Sequence, residues 1–464
     1  MLNSETTAPK GVDTLYFTIW RWHFYAGLYV IPFLIMLSVT GILMVWFTAV
    51  APEYGERLLV APQTSLLSVA DQAAAALARH PDGKIGQYIA PYAPNTPAMF
   101  RIDLEGGAQM VALNPYSGEV LQDSVNGKTW NAWISDLHGE LLIGMVGDRM
   151  VEIAASLALM LVVTGLYLNW PRNGAGWRSM VLLDLTEKGR AWWKSLHSVT
   201  GFWGSVVLVL FLISGLAWSG VWGEKLVQAW STFPAEKWDN VPLSDETHAS
   251  MDMTAAKTVP WALEQTLMPK SGSAVGVAGV PDGVAVGLQS IAALGRTLGL
   301  KGRFQVAAPA DTAGVWTISQ DSMSYDSANP IADRTVHVDQ YTGKILASVG
   351  FADYSLAGKS MAVGIALHEG QLGLWNVVLN VGFCLLVIFI CVSGTILWWK
   401  RRPAAAGRLA APPKPVAMPT RHGVIAITAA LSVAFPMLGA TLLAVFAFDF
   451  IVARCLPGLK RVLS

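Results

Sequence analysis

The 464-residue chain has 53% hydrophobic and only 14% charged residues, with 19 tryptophans, which excludes both an ordinary soluble protein and a purely lipid-embedded one. Thirty-two acidic residues balance 32 basic ones, so net charge makes no case for nucleic acid or an acidic surface partner. Cys384, Cys391 and Cys455 form no paired-cysteine spacing, which argues against zinc ribbons, thioredoxin-type redox motifs and a disulfide framework.

In chain order, the first apolar run, 25–50, follows a polar N-terminus and has no small-residue cleavage site, so an uncleaved anchor is expected. Further runs of spanning length fall at 153–171, 199–222, 372–399 and 423–448, and the reading is five transmembrane helices. Pro32 and Pro436 interrupt the first and fifth, which membranes tolerate when neighbours satisfy the freed carbonyl. Arg172, Arg178, Lys188, Arg190 and Lys194 follow span two; Lys400, Arg401, Arg402, Arg408, Lys414 and Arg421 follow span four. Basic short loops are cytoplasmic, so the N-terminus is expected to be cytoplasmic and 51–148 and 223–368 to lie on the far side, which in a Gram-negative bacterium would be the periplasm. Arg454, Lys460 and Arg461 then fall on the wrong side, a conflict that a re-entrant or peripheral fifth segment would remove.

The first outer segment predicts a helix over 66–80, then strands near 85–92, 98–104 and 109–113. It ends in a turn feeding a strand, Asn114 to Leu121. The second predicts a helix over 287–299 and strands near 304–307, 314–319 and 334–339, and ends likewise in Asp339 to Leu346. Spans two and four also match, with Thr164-Gly165 and Trp170-Pro171-Arg172 in one and Ser393-Gly394 and Trp399-Lys400-Arg401 in the other. The chain therefore reads as two copies of span, soluble domain and span, with a fifth helix added.

Spans one and three carry a histidine, a glycine four residues on and a hydroxyl-glycine pair at seventeen and eighteen: His23, Gly27, Thr40, Gly41 and His197, Gly201, Ser214, Gly215. Imidazoles are expensive to keep in a membrane, and their default reading is functional. His138 and His368 precede spans two and four. Opposed imidazoles across a bundle can supply both axial bonds of a b-type haem, so one haem is expected on His23 and His197 and another on His138 and His368. At ~1.5 Å per residue the hydroxyl-glycine pairs fall about 25 Å from their own histidines, where glycine would let a flat macrocycle approach the backbone. Gly165 and Gly394 would do the same at the inner face. His80, His248, His337 and His422 are expected on the surface or in local hydrogen bonds. Arg149 and Glu152 open span two as a pair or as a contact for a haem propionate.

The W-R-W-H and T-G of span one, L-H-G-E-L-L-I-G before span two, T-G-L-Y-L-N-W-P-R closing it, L-H-S-V-T-G-F-W opening span three and L-H-E-G with W-W-K-R-R in span four resemble the PepSY-associated transmembrane proteins, also called iron-regulated membrane proteins. That family includes inner-membrane ferric-siderophore reductases. The resemblance covers residues 15 to 402 and implies an α-helical membrane protein with α+β extracytoplasmic domains. Its plan would be 1–50 N-terminus and first span, 51–148 PepSY-like domain, 149–171 second span, 172–194 loop, 195–222 third span, 223–368 second PepSY-like domain, 369–400 fourth span, 401–422 loop and 423–464 fifth span with tail. It further implies two non-covalent haem b groups on His23, His138, His197 and His368, and electron delivery to a ferric siderophore or chelate outside. With no nucleotide or flavin fingerprint in the chain, the donor would be a separate cytoplasmic or quinol molecule. The alternative is a non-redox regulator whose PepSY-like domains control a peptidase or transporter.

Overall fold

The computed structural model describes residues 14–172, 176–228, 241–251, 259–402, 411–413 and 422–455. Its α-helices are α1 (Thr14–Val45), α2 (Val69–Leu77), α3 (Trp130–Glu140), α4 (Met145–Asn169), α5 (Arg178–Val181), α6 (Gly189–Leu216), α7 (Leu288–Thr297), α8 (Leu356–Glu369), α9 (Leu374–Arg401), α10 (His422–Ala434) and α11 (Pro436–Cys455). The strands are β1 (Lys84–Ile89), β2 (Ala98–Leu104), β3 (Gly107–Leu113), β4 (Val120–Val125), β5 (Leu243–Thr247), β6 (Leu267–Pro269), β7 (Gln305–Ala307), β8 (Val315–Gln320), β9 (Arg334–Asp339) and β10 (Ile345–Gly350). Two compact units divide the chain: Met1–Ile42, His138–Leu226 and Val381–Ser464 form a helical unit, and Leu43–Leu137 with Val227–Asn380 a mixed one.

In the helical unit α1, extended by a π-helical turn to Val50, and α4, α6 and α9 are long and apolar enough to cross a membrane. A helix satisfies its backbone polar groups within itself, which hydrocarbon demands. Phe383, Val387 and Cys391 of α9 pack with Ile31 and Leu34 of α1 and Val207 and Phe211 of α6. Cys391 is thus a packing residue, as its place in an apolar helix suggests.

Among the described residues there are four such helices, not five. The expected fifth span is two helices, α10 and α11, which meet at Phe435 and Pro436. Proline has no N–H and its ring clashes with the preceding turn, so one helix does not run through. A Cβ on Gly439 would stand 3.1 Å from that of Ser432, across the corner. Trp222 pins the bend: its indole N–H donates to the Ala434 carbonyl at 2.9 Å, and its ring stacks on Phe435 at 5.8 Å. The tail residues Lys460 and Arg461 lie outside the described residues.

The mixed unit is built on one antiparallel sheet of eight strands, ordered β10-β9-β8-β7-β1-β2-β3-β4. Both expected soluble domains contribute four strands to it, and they join where Tyr88 of β1 pairs with Val306 of β7. Alternation along the strands sends Phe100, Ile102, Val111, Phe304, Ile318, Val336 and Val338 to one face, where α2 supplies Ala73 and Ala76 and α7 supplies Ile291, Ala292 and Leu294. On the other face Ala347 and Val349 pack with Val259, Leu263 and Tyr354. The predicted strands and helices of both segments match these elements to within a few residues, because their apolar periodicity is the core contact itself.

Candidate functional site

His23 on α1 and His197 on α6 come together in the helical unit, with ring centres 6.4 Å apart and planes at 83°. His23 Nδ1 lies 2.9 Å from Thr164 Oγ1. That hydroxyl donates to the Met160 carbonyl at 2.7 Å, so it accepts from the imidazole N–H. His197 Nδ1 is 3.1 Å from the Ile390 carbonyl and 3.0 Å from Ser393 Oγ. A carbonyl only accepts, so here too Nδ1 carries the proton. Both rings therefore present a lone pair at Nε2, the form that ligates metal.

Glycines on α4 and α9 make room for these rings. A Cβ on Gly165 would stand 3.2 Å from His23 Cε1, and one on Gly394 would stand 3.2 Å from His197 Cε1. Both glycines, expected as clearance for a macrocycle, lie against the imidazoles themselves. Thr164 and Ser393 were missed as positioning residues; the Thr-Gly and Ser-Gly repeats were their signal. Gly27 and Gly201, one turn beyond each histidine on the same helix face, have no heavy atom within 4 Å of a built Cβ.

These residues fit a bis-imidazole metal site. Two neutral imidazoles at this spacing, each with Nε2 unprotonated, would be the residues to hold one metal centre, and that centre would supply single-electron chemistry. A small apolar groove, about 90 Å³ in volume, adjoins Thr164, with Trp22, Met160 and Tyr167 among its walls. Cations lie against the aromatic residues of α1 that flank His23: Arg21 donates to Tyr25 Oη at 3.1 Å, Arg401 lies over Trp20 and Phe24, and Arg172 lies over Tyr16 of α1 and Tyr167 of α4. Among the described residues no group of three or more His, Cys, Asp or Glu gathers as a metal site.

His138 and His368 sit on short helices ahead of the spans, α3 and α8. Leu141 and Leu142, both at positive φ, separate α3 from α4. His138 Nδ1 lies 2.8 Å from Thr40 Oγ1, which donates to the Met36 carbonyl at 2.8 Å. This is the His23–Thr164 arrangement again, and a Cβ on Gly41 would be 3.9 Å from His138 Cε1. His368 belongs to the mixed unit, where its carbonyl accepts from Asn380 Nδ2 at 2.8 Å and Gly370 closes α8 in the left-handed region. Arg149 pairs with Asp148 and, at 3.4 Å, with Glu152, whose buried carboxylate also accepts the Val221 and Trp222 amides at 3.2 and 2.9 Å.

Of the other histidines, His80 pairs with Asp123 at 2.8 Å and His422 is exposed. His248 and His337 are not superficial: both are buried and hydrogen-bonded, His337 Nδ1 to Thr317 Oγ1 at 3.0 Å, and their Nε2 atoms are 2.9 Å apart. His248 Nδ1 donates to the Thr266 carbonyl at 2.7 Å, so its Nε2 accepts the proton of His337. Burial holds His248 down to about 4, and burial with the His248 neighbour holds His337 well below its ordinary value.

Four long apolar helices and an eight-stranded α+β unit define a multi-pass membrane protein with a large folded domain outside the spans' sequence. The sequence model of the PepSY-associated TM region matches residues 20–401, and the chain belongs to that family. No curated protein matches the chain as a relative.

Proposed function

We propose that the protein is a transmembrane electron conduit in which His23 and His197 hold one haem b, and that it reduces ferric siderophores or similar ferric chelates on the periplasmic side of the inner membrane. The observation that carries this reading is the 6.4 Å separation of two imidazoles whose Nδ1 protons are both committed to acceptors, leaving Nε2 on each for iron. A haem held by His23 and His197 would supply single-electron exchange and leave no position at its iron for substrate. Thr164, Ser393 and the Ile390 carbonyl orient the rings, Gly27 and Gly201 leave room beside them, and Arg21, Arg172 and Arg401 supply counter-charge for propionates. A second haem on His138 and His368 is proposed from the repeated sequence motif, with Thr40 orienting His138.

Siderophores hold Fe(III) through hard oxygen donors, and reduction to the softer, less charged Fe(II) weakens the complex and frees the metal. The electron would come from a separate cytoplasmic or quinol donor. The decisive experiment is a reduced-minus-oxidised visible spectrum of the protein purified after haem-sufficient expression. Soret and alpha bands are expected, with His23→Ala or His197→Ala removing about half of the haem. Absence of those bands from the wild type would end the proposal.

A further inference from the structure

We propose that the connection from α4 to α6 binds anionic phospholipid, its apolar side chains against the acyl chains and its lysines and arginines at the headgroup phosphates. This inference is independent of the haem reading, and the connection lies wholly within the helical unit.

Hydrogen bonds hold the connection along the flank of α6. The Trp203 indole N–H donates to the Val181 carbonyl at 2.9 Å, and the Asp184 amide donates to Ser195 Oγ at 3.1 Å. On α6, Ser195 and Trp203 are separated by about 12 Å of rise, whereas Val181 to Asp184 spans about 10 Å when extended. The segment therefore climbs α6 in extended form, back toward the start of that helix. Near the Trp203 end, Asn169 Nδ2 donates to the carbonyls of Met180 and Ser198, both at 3.3 Å, and the rings of Trp170 and Trp177 meet edge-on with centres 4.8 Å apart.

The side chains left outside by this arrangement are sorted along the helix axis. Trp170, Trp177, Leu182, Leu185 and Trp203 are each more than half exposed, and they gather between the levels of Trp203 and Ser195. A contiguous apolar patch of this kind marks a membrane or protein contact. Trp203 lies in the charge-free run 199–222 of a span-length helix, so the patch continues a surface that lipid already covers. Beyond Ser195 the exposed residues turn cationic: Lys194 and Arg190 stand about 14 and 20 Å from Trp203 along α6, with Lys188 just before the helix. Acyl chain followed by phosphate is the same order in a bilayer leaflet.

Charge selects the headgroup. Arg178, Lys188, Arg190 and Lys194 are exposed, and among the described residues none of them is in an ion pair. Against these four stand Asp184 and Glu187, and the Asp184 carboxylate is turned to the amide and hydroxyl of Thr186, at 2.9 and 2.6 Å. The excess is positive. Each basic residue near a membrane surface favours anionic lipid by about fivefold, while a zwitterionic headgroup gains little from it.

Native mass spectrometry of the full-length protein in detergent tests this with phosphatidylglycerol, phosphatidylcholine of the same acyl chains and inorganic phosphate. Phosphatidylglycerol should bind about tenfold or more tightly than phosphatidylcholine, and excess inorganic phosphate should not displace it. Lys188→Gln, Arg190→Gln and Lys194→Gln together should bring phosphatidylglycerol down to the level of phosphatidylcholine and leave the latter unchanged. Leu182→Ser with Leu185→Ser should weaken both lipids alike. All five side chains are exposed, so the variants should fold as the wild type does. Equal affinities of the two lipids for the wild type, displacement by phosphate, a triple variant that keeps the wild-type preference, or a leucine variant with unchanged binding of both lipids would overturn the proposal.

Discussion

Thr164 receives the Nδ1 proton of His23 at 2.9 Å while passing its own to the Met160 carbonyl at 2.7 Å. The hydroxyl thereby fixes both the tautomer and the azimuth of the ring, and it adds electron density to the face that would meet iron. Thr164→Val keeps the shape and removes the acceptor. One haem of the pair should rise in midpoint potential by on the order of 20–60 mV, equivalent to about one hydrogen bond, while total haem stays within a few per cent. A redox titration with an unshifted potential would show that the contact is merely structural.

Gly27 and Gly165 are separated by what surrounds them. A Cβ on Gly165 would press on His23 Cε1 at 3.2 Å, whereas one on Gly27 would meet no heavy atom within 4 Å. Gly27→Leu should therefore leave the protein's thermal stability unchanged within about 0.5 kcal/mol, yet lower haem content by about half. Retention of full haem in a folded Gly27→Leu protein would mean that this side of His23 faces only lipid.

The joint between the two halves of the sheet rests on Phe304, which is 1% exposed, packs edge-on against Tyr88 at 6.4 Å and has Arg296 over its ring at 4.5 Å. Phe304→Ala should cost about 3–5 kcal/mol by cavity formation. Limited proteolysis should then cut both halves of the sheet, β1–β4 and β7–β10, with the same rate. If only the second half became sensitive, the sheet would not be one cooperative unit.

Stability of the mixed unit should depend on pH through two opposed effects, one from the pair His248 and His337 and one from Asp333. His248 is held down to about 4 by burial and His337 lies lower than usual too. Between about 4 and the ordinary 6.5 the unfolded chain binds protons there that the folded chain refuses, so stability rises with pH. Asp333 is pushed up to about 7 by burial, against the Ser322 hydrogen bonds that hold it down. Between 3.8 and about 7 the folded chain keeps a proton that the unfolded chain loses, so this group lowers stability as pH rises. Asp333→Asn removes that second effect and still accepts the Ser322 amide. Its thermal stability should gain on the wild type by roughly 2–4 kcal/mol between pH 4 and pH 8; parallel curves would count against a protonated Asp333.

The amino-acid sequence by itself determined the first four spans, most of the helices and strands in the soluble segments, and the four histidines as the unusual residues of the chain. Each follows from a local property: unbroken apolar length, a period of two or 3.6, or a polar group where hydrocarbon makes it expensive. Hydropathy alone read α10 and α11 as one span, because it averages over Pro436, and the corner depends on Trp222 from far along the chain. It also gave the soluble segments separate domains, since nothing in either strand pattern reveals that β1 pairs with β7. Only the tertiary structure brought His23 within 6.4 Å of His197, buried His248 against His337, and turned the small residues Thr164-Gly165 and Ser393-Gly394 from apparent spacers into the seats of the imidazoles. Those relationships lie between residues more than eighty positions apart; the internal repeat named His197 as the partner of His23, but for the others chain entropy leaves the partner undetermined until packing selects it.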